Sequence, residues 1–355
     1  MKTILQTLAY ASPNCGNFIL SITMLEQKLA ESGYKTIYAV PQRAGNSDWC
    51  KEMQSRTKVY FLPEKNARIL PETYSIFKKI YSENDVVIAH SHFELYDMPM
   101  TVTAPKNIKI YWHLHDAIEH DYYNSSISRK LLTRIQYSRL FKRVKILSVS
   151  NKHGAFISKL GFCNKNITNL PNAINTKYIE KVQNYSDEHI FLMFGWSVYR
   201  KGVDLAIKAA EILNNNEFKI AIVGGDELKN YLCSNTTSSH IIALTPEENV
   251  NNLYQNSNVF LHISRAEGQS YALLEAIYAG LPVICSDISE NRFAKEFRNV
   301  FFVTNENPDD IANKINFLSS YVVNDADVEF NRKQIEENYA IDSWCNQLVS
   351  LYNIK

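Results

Sequence analysis

A chain of 355 residues with 45% hydrophobic content is long enough for about two domains with substantial cores, which excludes a disordered tail or a small disulfide-stapled module. Its 38 basic and 37 acidic residues leave a net charge of +1, so overall charge gives no case for nucleic-acid binding. The six cysteines (Cys15, Cys50, Cys163, Cys233, Cys285 and Cys345) are scattered with no Cys-x-x-Cys pair, a pattern expected of buried thiols in a reducing cytosol rather than of a disulfide framework or a zinc site.

Strand-like and helix-like segments alternate from the first residues, which predicts an α/β chain built on parallel sheets. Ile4 to Tyr10 reads as a first strand rather than a signal peptide, because Ser12-Pro13-Asn14 breaks its short apolar run. Gly16 stands in the following turn, where a backbone without Cβ allows close approach to a ligand. Phe18, Ile22, Leu25 and Leu29 then repeat at helical spacing until Gly33. Further strands are expected at Thr36 to Val40, Asp85 to His90, Lys109 to His113 and Ile146 to Val149. Two His-x-His pairs, His90-Ser-His92 and His113-Leu-His115, fall at strand ends, and alternation puts each pair on one face of its strand. Such pairs are familiar metal ligands, and bland strand-end histidines have the same pattern.

Residues 129 to 145 carry Arg129, Lys130, Arg134, Arg139, Lys142, Arg143 and Lys145 without an acid, interleaved with Leu131, Leu132, Ile135, Leu140 and Phe141. Two readings stand: a basic amphipathic helix lying on an anionic membrane surface, or a core-packed helix with a wet, basic back. No apolar run approaches the roughly 20 residues needed to span a bilayer.

The second half repeats the alternation. Asn184 to Glu188 is polar and turn-rich, and strand Ile190 to Phe194 follows, ending in Gly195. A helix is expected from Val203 to Leu213 and a strand over Lys219 to Val223, ending in Gly224-Gly225-Asp226. That turn lacks the Gly-x-Gly-x-x-Gly spacing of a dinucleotide site. Asn258 to Ile263 reads as a buried strand, Ser270 to Ala279 as a helix stopped by Gly280 and Pro282, and Val283 to Cys285 as the next strand. This strand–turn–helix brings free backbone N–H groups to one spot, with Glu267 just before it and Glu275 about two turns along the helix. Asp325-Ala-Asp327 reads as a turn or helix start rather than a metal motif, and Ile341 to Tyr352 as an amphipathic helix with Trp344, Leu348 and Leu351 on one side.

The Glu267-to-Glu275 segment, with seven residues between the two acids and an Ala-Gly-Leu-Pro-Val ending, resembles the Glu-x7-Glu signature of retaining GT-B glycosyltransferases, specifically glycosyltransferase family 4. Gly195-Trp-Ser-Val-Tyr-Arg200-Lys201-Gly202 resembles that family's Gly-Arg…Lys-Gly element, with Trp196 where many relatives carry Arg. Leu170-Pro171-Asn172-Ala173-Ile174-Asn175 resembles its Pro-Asn-Gly-x-Asp junction, with Ala for Gly and Asn for Asp. The resemblance implies two Rossmann-like domains facing a cleft: residues 1–173 on the acceptor side, 174–338 on the donor side, and a terminal helix, 339–355, crossing back to the first domain. It implies sugar transfer from a nucleotide sugar, UDP-linked by family frequency, to a glycan or lipid-linked glycan, with no obligate cofactor or metal. Glu267 would orient the donor sugar and Glu275 would hold the ribose. Arg200, Lys201 and the backbone of Gly268, Gln269, Ser270 and Tyr271 would neutralise the diphosphate. Gly16 and Gly225 would face the donor, and His115 would meet the sugar, with His113 as second choice. His90, His92 and His113 would lie on the acceptor side. The product would be a cell-surface or exported polysaccharide, made in the cytoplasm or at the inner face of the membrane. Two rival readings remain: a non-catalytic partner subunit that keeps the fold, and a metallohydrolase built on the His-x-His pairs.

The basic pair carries a further expectation. A solvated Arg200-Lys201 pair at a helix start would be disfavoured by the helix dipole, which argues for a functional role.

Overall fold

The computed structural model describes residues 2–182, 189–213, 218–247 and 249–354. The polar stretch 184–188 expected after the first domain lies outside them. The chain divides into two compact units, Met1–Ala173 with Ile341–Lys355, and Ile174–Ala340.

The first unit is a seven-stranded sheet of β1 (Thr3–Leu8), β2 (Lys35–Pro41), β3 (Val59–Leu62), β4 (Val86–His92), β5 (Lys109–Leu114), β6 (Val144–Ser148) and β7 (Ile167–Asn169). Its order is β3-β2-β1-β4-β5-β6-β7, and every pairing is parallel. β1, Thr-Ile-Leu-Gln-Thr-Leu, is buried throughout although half of it is polar, and its Gln6 amide finds partners in Tyr352 and His92. Helix Gly16–Glu31 buries Phe18, Ile22, Leu25 and Leu29, the residues of its predicted stripe. Gly16 opens it at φ +57°, in the left-handed region, and is exposed. Helix Ile341–Leu351 buries Trp344, Cys345 and Leu348 and packs against Gly16–Glu31, where the Cys345 thiol reaches the Ser21 carbonyl at 4.0 Å.

The second unit holds β8 (His189–Phe194), β9 (Phe218–Val223), β10 (Ile241–Leu244), β11 (Val259–His262), β12 (Val283–Ser286) and β13 (Val300–Val303). The order is β10-β9-β8-β11-β12-β13, again all parallel. Apolar clusters cover both faces: Val203, Leu205, Ala206 and Ile311 lie on one side, and Leu273, Leu274, Ile277 and Ile335 on the other. Asp325 and Asp327 open helix Asp325–Asn338, whose Asn324 side chain caps the Ala326 N–H at 2.9 Å.

In each sheet the winding direction reverses once, between β1 and β4 and between β8 and β11. Loops leaving the carboxyl ends of strands at such a reversal form the crevice where open α/β sheets bind ligands.

The segment 129–145 is not one helix. Helix Ile127–Gln136 ends before a short turn of helix at Arg139–Phe141, and Lys145 belongs to β6. Helix Ile127–Gln136 buries Thr133 and Gln136, while Ile127, Leu131 and Ile135 are exposed, as is Leu140 beyond it. The core-packed reading is therefore corrected, because most of the apolar stripe faces outward. Arg143 leaves the basic set as well, since its guanidinium donates to the carbonyls of Thr101, Ala104 and Pro105 at the end of helix Asp97–Thr103. All six cysteines are unpaired, but the expectation of buried thiols holds only for Cys50, Cys285 and Cys345, since Cys15 and Cys163 are half-buried and Cys233 is exposed. No described helix is long and apolar enough to cross a membrane.

Candidate active site

In the second unit the site grows from the loops after β8 and β11. After β8, Gly195 has no room for a side chain, since a Cβ would stand 2.7 Å from Ile222. Gly202 sits at φ +79°, where its Cβ would stand 2.4 Å from the Ile263 carbonyl oxygen. This close approach lays the short helix Val198–Lys201 against the loop after β11, and the Arg265 N–H donates to the Arg200 carbonyl at 2.8 Å. Arg265 also pairs with Asp204 through two bonds of 2.7 and 2.8 Å and stacks over Tyr199.

Arg200 and Lys201 end that short helix and stand directly before the expected start of helix Val203–Ile212, whose N-cap is Gly202. One helix end favours a cation and the other disfavours it, so the dipole alone gives no argument for function.

Their partner is Glu267. Lys201 Nζ lies 2.5 Å from Oε1 and Arg200 Nη1 lies 3.5 Å from Oε2. Burial works to raise the Glu267 pKa, but the charges of Lys201, His262 and Arg200 and the Lys201 hydrogen bond outweigh it and hold the carboxyl at about 2. His262, at the end of β11, lies 3.9 Å from Glu267 Oε1, and burial lowers its pKa to about 4, so it is neutral at pH 7. Two cations thus face one carboxylate, and the spot keeps a surplus positive charge.

Helix Tyr271–Ala279 begins beside it, with Ser270 as N-cap accepting from the Leu273 N–H at 3.3 Å. Glu267, Gln269 and Ser270 are buried. Glu275, on that helix and 7% exposed, accepts a 2.7 Å hydrogen bond from Tyr254. Gly280 closes the helix at φ +95°. Gly225 is the N-cap residue of helix Asp226–Asn235 and is exposed, with nothing within 4 Å of where its Cβ would stand. The structure thus brings Arg200, Lys201, Glu267 and the Gly268–Tyr271 backbone around one switch point, with Glu275 on the helix that leaves it.

The first unit holds the histidines. His90 and His92 end β4, and His113 and His115 lie at the end of β5, where His92 pairs with His113 in register. His90, His92 and His113 are 0% exposed, under Phe18, Trp344 and Tyr352. The acceptor-side expectation for these three is corrected, because side chains sealed in the core cannot touch an acceptor. Their ligand atoms lie within 4.8 Å of one another, a spacing a metal ion could use. A metal there would be structural, since a site closed to solvent offers no open position to a substrate or water. That removes the geometry a metallohydrolase needs. His115 is nearly buried, with its ring nitrogens 3.1 Å from His92 and 2.8 Å from Asn172.

At the carboxyl ends of β1, β4 and β5 the first unit opens a cavity of about 490 Å³, lined in part by Ala9, Arg68, Phe93, Glu94, Asp116 and Arg129. Phe93 adopts φ +64°, a conformation that is strained without a glycine and clusters at functional sites. Sequence reading missed this cavity, and it missed Tyr254 and His262. The neighbouring pattern could have drawn in only His262, which lies in the strand that feeds the Glu267 loop.

Known proteins share this architecture. Residues 21–178 match the family described as Glycosyltransferase Family 4, and residues 175–337 match Glycosyl transferases group 1. A glycosyltransferase of Methanocaldococcus jannaschii is 28% identical over 182 residues, covering 47% of this chain and 45% of its own length. One chain of the human phosphatidylinositol N-acetylglucosaminyltransferase is 24% identical over 303 residues, 78% of this chain and 60% of its own. The protein therefore spans about half to three fifths of these two relatives. Among solved structures, the Thermosynechococcus elongatus sucrose-phosphate synthase superposes with a TM-score of 0.78 at 16% identity, over 99% of this chain and 98% of its own. Anabaena HepE, solved in complex with UDP-glucose, gives a TM-score of 0.77 at 12% identity over 99% of both chains. The fold is GT-B, and the chain belongs to the group 1 glycosyltransferases, family 4.

Proposed function

We propose that this chain is a retaining, metal-independent glycosyltransferase that moves a sugar from a UDP-sugar to a hydroxyl of a glycan or lipid-linked glycan. The observation that carries the reading is the surplus positive charge of Arg200 and Lys201 over Glu267, set beside the amino end of helix Tyr271–Ala279. A leaving nucleoside diphosphate is the anion such a spot suits, through the fork of Arg200, the point charge of Lys201 and the Gly268–Tyr271 amides. Glu267, already ionised, orients the sugar hydroxyls, and Glu275 receives the ribose. The bond from the anomeric carbon to the phosphate oxygen breaks, and its electron pair leaves with the diphosphate. The acceptor oxygen bonds to the same face of that carbon, and the acceptor proton passes to the departing phosphate. The UDP seen with HepE and the N-acetylglucosaminyl transfer named for the human relative support the donor class. The first-unit cavity is the acceptor's place in this reading, and Gly16 gives the loop after β1 its turn. The experiment is incubation with UDP-, GDP- and ADP-sugars, with and without chelator, following the anomeric proton by NMR. Sugar transfer or release with retained configuration and no loss to chelator is expected; inversion or a metal requirement would contradict it.

The exposed apolar row Ile127, Leu131, Ile135 and Leu140, flanked by Lys130, Arg134, Arg139 and Lys142, supports docking on an anionic membrane surface, in line with the lipid named for the human relative and with a cytoplasmic, membrane-edge location. In flotation with vesicles rich in anionic lipid, the protein is expected to rise with the lipid. A variant carrying Leu131→Ser, Leu140→Ser, Arg139→Gln and Lys142→Gln is expected to stay behind, and equal flotation of the two refutes the docking.

A further inference from the structure

A continuous hydrogen-bonded path runs through the core of the first unit. It starts at Tyr352, just past the last helix, whose hydroxyl lies 2.5 Å from His90 Nδ1 and accepts from Gln6 Nε2 at 3.2 Å. The other end of the Gln6 amide lies 3.0 Å from His92 Nε2. His92 Nδ1 lies 3.1 Å from His115 Nε2, and His115 Nδ1 lies 2.8 Å from the Asn172 amide. Gln6, His90 and Tyr352 are no more than 1% exposed, and His92 is sealed as well. Burial lowers the pKa of each of the three imidazoles, so all are neutral at pH 7 and each carries one N–H.

Two proton orders satisfy such a path. In one, protons point from His115 toward Tyr352 and the His115 proton is on Nε2. In the other they point the opposite way and it is on Nδ1. Gln6 and Asn172 can each present either end of the amide, so no single link decides the order. Every interior member uses both of its polar ends, so an order persists only while all members keep it. The Tyr352 hydroxyl joins the His90 ring to the Gln6 amide.

We propose that Tyr352 is a positioning residue for the transfer reaction: through Gln6 and His92 it locks His115 into one tautomer and one ring orientation. The proposal rests on the reading that His115 belongs to the reaction site. It gives the terminal helix a role beyond covering the sheet, and it uses three buried polar residues the mechanism otherwise leaves idle. A metal on His90, His92 and His113 is the rival use of the cluster. The made bonds favour the relay, because both His92 nitrogens are already engaged, and only His90 Nε2 and His113 Nδ1 have no hydrogen-bond partner among the described residues.

The test is Tyr352→Phe, which keeps the ring and removes the hydroxyl, read by two-bond ¹H–¹⁵N NMR of the His115 imidazole and by steady-state kinetics. The wild-type protein is expected to show one His115 tautomer and the variant a mixture of two. Its kcat is expected to fall about three- to tenfold, the scale of one net hydrogen bond, with the donor KM unchanged. Gln6→Met cuts the path at a second link and is expected to give the same mixture, which keeps the test open if Tyr352→Phe folds poorly. One unchanged tautomer in both variants overturns the relay, as does one equivalent of zinc in the purified protein. If the wild-type protein turns over no donor, the transferase reading falls, and the tautomer comparison alone decides for or against the relay.

Discussion

Replacing Lys201 with Met is expected to cut kcat by about 10²- to 10³-fold, the usual cost of losing one preorganised charge contact to a developing anion. Met keeps most of the buried stem, so the loss isolates the ammonium. The same change strikes stability, because Lys201 is the nearest charge partner of a Glu267 that is almost wholly buried. Breaking a buried pair on one side costs about 3–5 kcal/mol, far more than the pair itself contributes. The sign of the pH dependence follows. Glu267 is held at about 2 against an ordinary value of 4.5, so its stabilisation is complete above pH 4.5 and is lost as pH falls toward 2. Without Lys201 the Glu267 pKa rises toward its ordinary value, so less stability is lost between pH 4.5 and 2 and the pH dependence there flattens. Lys201→Met/Glu267→Gln is expected to recover much of the stability in thermal melts and none of the turnover. Recovery of both would mean that the pair is structural and the chemistry lies elsewhere.

Glu275→Ala is expected to weaken nucleoside diphosphate binding about a hundredfold, since two charge-assisted bonds to ribose hydroxyls are worth roughly 1.5–3 kcal/mol each before reorganisation is subtracted. Tyr254 gives the control. Its hydroxyl donates to Glu275 at 2.7 Å, and Tyr254→Phe leaves the carboxylate but removes that bond. A smaller loss of affinity is expected there than in Glu275→Ala.

The donor side was legible because its parts are close in sequence. Gly195, Arg200, Lys201 and Gly202 lie within one short stretch, and Glu267 through Glu275 within another, so each could be matched whole to a signature of the family it resembles. Their partners were not legible. Tyr254 meets Glu275 from another helix, and Arg265 in the loop after β11 meets Asp204 in the first turn of helix Val203–Ile212, contacts that only the packed sheet creates. The buried strands β1, β4, β5, β8, β9 and β11 announced themselves as apolar runs. The edge strands β3, β10 and β13 did not: Val-Tyr-Phe-Leu, Ile-Ile-Ala-Leu and Val-Phe-Phe-Val are apolar throughout but only four residues long, too short for a periodicity that tells strand from helix, and edge strand β7, Ile-Thr-Asn, is shorter still and mostly polar. Alternation correctly put His90 with His92 and His113 with His115 on shared faces. It could not show that helix Ile341–Leu351 and Tyr352 close over them, because the same pattern serves an open strand end and a covered one. The basic segment misled differently: its apolar residues carry a helical period whether they face a core or a surface, and only the fold shows Leu131 and Leu140 turned outward.

Whether the second unit holds a nucleotide is decided by calorimetric titration of UDP, GDP and ADP into the wild-type protein and Glu275→Ala, with and without Mg²⁺. Metal-independent binding of UDP is expected, about a hundredfold weaker in the variant, with the variant still folded. Absence of binding by all three nucleotides, or equal affinity in the wild-type protein and the variant, would contradict the donor site.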